Sequence, residues 1–143
     1  MARLRPGTIR LLGRVHTSLW QLLGGKLGSG FGRAPFMMLT TTGRKSGRPR
    51  TTPVLYLREG PDLIVVASFG GNDMHPAWYL NLVRSPEARV VVDGRQRRLF
   101  AHKVSPEEKK RIWPRLIELY PNFDLYQRRT RREIPLLRLC EAP

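Results

Sequence analysis

The turn tetrapeptide Glu59-Gly60-Pro61-Asp62 and the apolar run after it, residues 63–67, constrain this chain more than any other feature. Glycine and proline between two acidic residues are strong turn chemistry, and an unbroken apolar run of strand length suits a strand buried on both faces. Around that centre the sequence divides into further strands. Residues 36–42 are apolar and then β-branched up to Gly43, and residues 51–58 run into the turn. Residues 88–92 and the stretch from Gln96 flank Asp93-Gly94, a dipeptide suited to a two-residue hairpin. Residues 134–140, with Pro135 near the start, read as an edge or closing strand. Two helices interrupt the pattern. One spans residues 76–83, with Pro76 in the first turn and Trp78, Leu82 and Val83 on its apolar side. The other opens at the capping box Ser105-Pro106-Glu107-Glu108, carries Ile112, Leu116, Ile117 and Leu119, and is expected to kink at Pro114. Many short strands with few helices predict a mainly β fold, an antiparallel barrel with attached helices.

The 143 residues are enough for one core-bearing domain and too few for two of ordinary size. Ahead of it, Ile9, Leu12, Val15, Leu19, Leu22 and Leu23 recur at helical spacing, followed by Gly24, Gly25, Gly28, Gly30 and Gly32. This gives an amphipathic helix and glycine hinge over residues 1–32, and the barrel over 33–143. With Trp20 and arginines on its surface, the helix either lies on an anionic membrane or covers its own domain's core. No run approaches the roughly 20 apolar residues of a spanning helix, no signal-peptide pattern opens the chain, and Cys140 is the single cysteine. These features predict a cytoplasmic protein, with the membrane's cytoplasmic face as its peripheral site.

A formal charge of +15 predicts an anionic partner: nucleic acid, a membrane face, or a phosphorylated or polyglutamylated small molecule. Arginine scattered over solvated faces is the plain alternative. The charge concentrates in residues 40–50, Thr-Thr-Thr-Gly-Arg-Lys-Ser-Gly-Arg-Pro-Arg, between two predicted strands. Glycine turns backbone N–H groups toward an anion, arginine presents forked donors, and Ser46 adds a neutral one. The loop holds a phosphate or is simply a solvated turn. Neither a Walker loop nor a Rossmann G-x-G-x-x-G is present. Residues 67–81 join the buried strand to the short helix. Their glycines let a flat conjugated ring approach the backbone, Trp78 offers it an apolar contact or packs in the core, and the helix's first N–H groups face ring oxygens or phosphate. His16, His75 and His102 fall in separate elements without metal-ligand spacing, and no G-x-S-x-G elbow or exposed, electropositive cysteine supports hydrolysis, so neither metal nor hydrolase chemistry is expected.

Taken together the two segments resemble the deazaflavin-dependent nitroreductase family, which uses coenzyme F420 and includes F420H2-dependent quinone reductases of actinobacterial type. The likeness runs from about the first helix to Cys140 and includes Trp113-Pro114, Leu119-Tyr120-Pro121, Tyr126-Gln127 and Ile134-Pro135. It implies a split β-barrel like that of flavin-mononucleotide oxidases. By position, Arg44, Lys45, Ser46, Gly47, Arg48 and Arg50 would hold the phosphate and acidic tail, while Ala67, Ser68, Phe69, Gly70, Ala77 and Trp78 would line the ring. Tyr120, Tyr126 and Ser68 match positions at the acceptor site, where a hydroxyl stabilises or protonates a developing oxyanion; a tyrosine beside a proline turn also packs simply as a core residue. The implied acceptor is a menaquinone-like quinone, an enone or a nitro compound. Phe69 stands where relatives more often carry a polar or basic residue and Phe123 where some carry tyrosine, so nitroimidazole reduction does not follow.

Other classes fit parts of this pattern. A nucleic-acid-binding barrel would track phosphates with the arginine loops and stack bases on Phe69, Trp78 and Tyr79. A flavin-mononucleotide enzyme would use the same fold, and a membrane module without catalysis would depend on residues 8–23. The family reading has no nucleic acid as partner and either a monomer or a homodimer as its assembly.

Overall fold

In the computed structural model, which describes residues 35–142, seven strands form one antiparallel sheet. The predicted N-terminal helix and glycine hinge lie outside the described residues. In chain order the strands are β1 (Phe36–Thr42), β2 (Pro49–Leu55), β3 (Leu57–Glu59), β4 (Asp62–Val66), β5 (Glu87–Val92), β6 (Arg95–Lys103) and β7 (Leu136–Cys140). Three helices accompany them: α1 (Ala77–Arg84), α2 (Pro106–Leu119) and α3 (Asn122–Arg129).

Across the sheet the order is β2-β1-β5-β6-β7-β4-β3. The single run predicted over residues 51–58 therefore serves both ends of the sheet. It breaks at Tyr56, whose buried ring and N–H bond to Pro35 O, 3.2 Å, mark the crossing from one edge strand to the other. Because β2 and β3 are joined by one residue yet stand at opposite edges, the sheet must curl until its ends meet, which makes it a split barrel.

Strand β4 is buried on both faces, as its apolar run requires. Leu63, Val65 and Ala67 point into the barrel with Met37, Leu39, Val90, Leu99 and Leu139, while Ile64 and Val66 join Ile112, Leu116, Phe123 and Leu136 under the helices. The β5–β6 turn has both Asp93 and Gly94 at positive φ, 51° and 73°, the geometry of a two-residue hairpin. Of the two roles open to residues 134–140, edge or closing strand, the structure gives the closing one: β7 lies inside the sheet between β6 and β4, and Pro135 is tolerated because it precedes the first ladder residue. Helix α2 continues past Pro114, whose exposed position leaves the carbonyl that loses its donor within reach of water. Cys140 is half-buried, and burial, more than the nearby Asp62 carboxylate, raises its thiol pKa.

The Ser105 hydroxyl caps α2 by accepting from Glu108 N at 3.2 Å, but the Glu108 carboxylate turns outward to Arg138. Arg138 also bonds Glu59 at 2.9 Å and Asp62 at 3.1 Å, and Glu59 receives Arg111 at 2.9 Å and Arg115 at 3.2 Å. The Arg111 bond, opposed by burial and reinforced by Arg138, holds the Glu59 carboxyl below its ordinary value of 4.5. His75 is also held below its ordinary 6.5, by burial first and then by the charges of Arg132 and Lys103. Both shifts are depressions, so both contributions are complete at neutral pH and lost on acidification. His75 begins to cost stability below about pH 6.5 and Glu59 below about pH 4.5. Thermal melts across pH 7 to 3 should fall in these two stages. Glu59→Gln should remove the lower stage and cost about 1–2 kcal/mol at pH 7, a modest figure because the network is partly solvated.

Candidate functional site

One cleft of about 590 Å³ opens beside the β2 edge and is closed by the 43–50 loop, the 68–70 segment, the start of α1, and Tyr120, Phe123 and Tyr126 around α3. Eleven of the predicted site residues line it: Arg44, Lys45, Ser46, Arg50, Ser68, Phe69, Gly70, Ala77, Trp78, Tyr120 and Tyr126. Gly47, Arg48 and Ala67 do not. Gly47 takes the positive φ at the loop tip, Arg48 closes the loop with its backbone, and Ala67 is fully buried in the barrel core.

The basic loop is stiff. Gly43 N donates to Arg48 O and Gly47 N to Gly43 O, both at 2.8 Å, and Arg48 N donates to the Ser46 hydroxyl at 3.2 Å. A Cβ on Gly43 would stand 2.7 Å from Ser46 Oγ and 3.1 Å from Arg48 O, so a larger residue would have to displace the Ser46 hydroxyl and shift the loop closure. Among the described residues none of Arg44, Lys45, Arg48 or Arg50 has a carboxylate partner. Positive charge collected without counter-charge is an anion site by electrostatics alone.

Asn81 fixes this loop to the barrel and was not anticipated. Its buried amide donates from Nδ2 to Thr41 Oγ1 at 3.0 Å, while Oδ1 accepts from Arg44 N at 3.1 Å and lies 3.5 Å from Arg44 Nη1. The available signal was an asparagine within the apolar stretch Trp78-Tyr79-Leu80-Asn81-Leu82-Val83, since a buried amide must find partners.

At the opposite end Tyr120 and Tyr126 share a hydroxyl–hydroxyl bond of 2.9 Å, and Asn122 Nδ2 donates to Tyr120 Oη at 3.1 Å. The Phe123 ring meets Tyr120 edge-on at 4.8 Å, which fixes the phenol's orientation. Burial, and then the bond to Tyr126, push the Tyr120 phenol well above its ordinary range, so it remains protonated through neutral and moderately alkaline pH. Between the two ends the lining is apolar, with Pro53, Val54, Leu55, Phe69 and Trp78. Trp78 fulfils both readings of its role, lining the cleft and packing against the barrel core. Tyr79 is buried, which removes one of the three rings a base-stacking surface would have needed. Among the described residues no three His, Cys, Asp or Glu side chains gather as metal ligands, and no helix is long and apolar enough to cross a membrane.

A curled antiparallel sheet with α2 and α3 on its outer face, α1 packed against its interior core and a cleft at its seam defines a split-barrel protein. A heme storage protein of Vibrio cholerae shares the fold at 14% identity, with a TM-score of 0.60, covering 85% of this chain and 91% of that one. Closer likenesses decide the family. The model for F420H(2)-dependent quinone reductases matches residues 12–141. An F420H(2)-dependent quinone reductase of Mycobacterium tuberculosis is 35% identical over 128 residues, 87% of this chain and 86% of that protein. The solved structure of an F420-H2 dependent reductase superposes with a TM-score of 0.68 at 34% identity, covering 73% of this chain and 93% of that one. A chain described as a domain-swapped dimer gives 0.68 at 30% identity, covering 90% and 98%. The chain belongs to the F420H(2)-dependent quinone reductase family, and it is therefore an oxidoreductase whose hydride donor is reduced coenzyme F420.

Proposed function

We propose that this protein reduces a quinone with F420H2 in the seam cleft. The carrying observation is the cleft's polarity: cations without counter-charge at one end, a hydrogen-bonded tyrosine pair at the other, and an apolar wall between them. The residues fit the cofactor. Arg44, Lys45, Ser46 and Arg50 suit a phosphate and an acidic tail, and Pro53, Val54 and Trp78 suit a flat conjugated ring. Bound there, F420H2 supplies a hydride to the acceptor's conjugated system.

The remaining work falls to the chain. The apolar walls exclude water and stack the two flat partners at contact distance. Reduction places negative charge on a quinone oxygen, and the Tyr120–Tyr126 pair offers hydroxyl hydrogens there; the raised Tyr120 pKa makes that phenol a hydrogen-bond donor to the oxygen more than a strong acid. Ser68 also lines the cleft and offers a further hydroxyl. Enones and nitro compounds meet the same chemical requirement and form the finer acceptor range to be measured. We further infer an appended segment over residues 1–32 that brings the barrel to a membrane's cytoplasmic face, and a homodimer, the latter supported by the open β2 and β3 edges and the dimeric relative.

The test is fluorescence titration with oxidised and reduced F420, flavin mononucleotide in parallel, followed by reoxidation of the reduced cofactor with menaquinone analogues. Saturable F420 binding with quinone-dependent reoxidation is expected; binding of flavin mononucleotide alone would overturn the reading. Tyr120→Phe should slow turnover roughly tenfold, the low end for a general acid because Tyr126 remains, while F420 affinity stays near the parent's.

A further inference from the structure

Arg132 lies outside the cleft, yet every nitrogen of its guanidinium is engaged with the segment that forms the cleft wall. Nη2 donates to Ala67 O at 3.1 Å and to Ser68 O at 2.9 Å, Nε donates to Asn72 O at 2.8 Å, and Nη1 stands 3.2 Å from His75 Nδ1. Burial and the flanking cations keep His75 neutral, which leaves that ring nitrogen able to accept. The segment so gripped is strained. Ser68 is right-handed at φ −76° and ψ −37°, but Phe69, Gly70 and Gly71 all take positive φ, 46°, 62° and 83°. For phenylalanine this region is costly and persists only where the surroundings impose it.

A right-handed residue followed by a left-handed one turns successive backbone N–H groups to one concave side, an arrangement that binds oxygen anions. Here those groups belong to Ser68, Phe69 and Gly70. Among the described residues none of the three has a hydrogen-bond partner, whereas their neighbours do: Ala67 N bonds Pro135 O, Gly71 N bonds Ser68 O and Asn72 N bonds Phe69 O. All three residues line the cleft. Within a trans peptide the C=O and N–H point in opposite directions. The pull of Arg132 on the carbonyls of Ala67 and Ser68 therefore turns the N–H groups of Ser68 and Phe69 to the other side, and a charged partner on the carbonyl strengthens the N–H as a donor.

We propose that Arg132 is a positioning residue that shapes residues 68–70 into a three-amide nest for a carbonyl oxygen of one of the two reacting rings. The inference rests on the F420 reading above. That oxygen is either a carbonyl of the cofactor ring, which the nest holds in place, or the acceptor carbonyl, which alone gains negative charge as the hydride arrives.

The first measurement uses the parent protein. Backbone amide resonances of Ser68, Phe69 and Gly70 should shift on titration with oxidised F420, or only when an acceptor analogue is added to the F420-loaded protein. The second uses Arg132→Lys, which keeps the charge and loses the fork, and Arg132→Ala. Each should weaken the source that occupies the nest by about tenfold or more: F420 affinity with quinone KM unchanged for the ring, quinone KM with F420 affinity unchanged for the acceptor. A second recess bordered by Asp73 and residues 128–132 opens onto Arg132 from outside, so dilute guanidinium should restore much of the loss in Arg132→Ala where ammonium does not. If F420 saturates the protein but the three amides do not move at either step, the nest is wrong while the proposed function stands. If folded Arg132 variants bind and turn over as the parent does, the positioning role is wrong. Absence of F420 saturation in the folded parent would instead remove the functional reading itself.

Discussion

Gly71→Ala should destabilise the protein by about 2–4 kcal/mol and lower turnover in whatever fraction still folds. Gly71 is buried at φ +83°, and a Cβ there would stand 2.8 Å from Tyr126 O and 3.0 Å from both Tyr126 Cα and Arg129 Cβ. The first two of these atoms are helix backbone and cannot yield as a flexible side-chain tip would. Alanine therefore bears a left-handed cost of about 1 kcal/mol and also pushes α3 away from the 68–70 segment. Because α3 carries Phe123 and Tyr126, that displacement opens the tyrosine end of the cleft. Gly70→Ala separates the two contributions: its φ is +62°, but open space surrounds its Cβ position, so only the backbone cost of about 1 kcal/mol applies. Chemical denaturation of both variants checks this. Equal losses at the two glycines would show that the close approach to α3 carries no weight.

Most of the sheet was legible because its signals are local. The turn at residues 59–62, the Asp93-Gly94 hairpin and the unbroken apolar run of β4 each arise within a few residues, and β1 spans the residues its composition marks. What escaped was set at long range. Nothing near Tyr56 announces that residues 51–55 pair with β1 while 57–59 pair with β4, since that division follows from closure of the whole sheet. Strand β7 could be read as an edge or a closing strand because Pro135 stands beside it, and the choice was not local, since its neighbours β6 and β4 lie far earlier in the chain. Helix α3 went unread because Asn122-Phe123-Asp124-Leu125-Tyr126-Gln127-Arg128-Arg129 is short, mostly polar and buries only Phe123.

The cleft shows the same division. Two segments rich in glycine, cations and aromatic rings identified most of its lining, because such residues must be placed where a ligand comes close. The partners of the side chains that hold those segments in shape were invisible. Asn81 reaches Arg44 across 37 positions and Thr41 across 40, and Arg132 reaches Ala67 across 65. The apolar stretch around Asn81 says that its amide needs partners but not which ones, and Arg132 carries no such sign until the barrel brings the elements together.

Removing two of the loop's cations tests the cofactor end most directly. Arg44→Ala combined with Arg50→Ala should lower F420 affinity by about 2–3 kcal/mol, roughly 30- to 150-fold. The figure is kept near 1 kcal/mol per side chain because Arg50 is exposed and Arg44 only half-buried, and solvent weakens such pairs. Two features distinguish this loss from general damage. The parent's affinity should fall with added salt, and the double variant's dependence should be visibly flatter, since fewer screened contacts remain. Stability should be unchanged or slightly raised, because four neighbouring cations without carboxylate partners repel one another and two have been removed. Arg48→Ala, at a loop cation outside the cleft lining, should stay close to the parent in affinity. A double variant that bound F420 as tightly as the parent, with the same salt dependence, would move the cofactor's anionic groups away from this loop, and the polarity on which the proposed reaction depends would be reassigned with them.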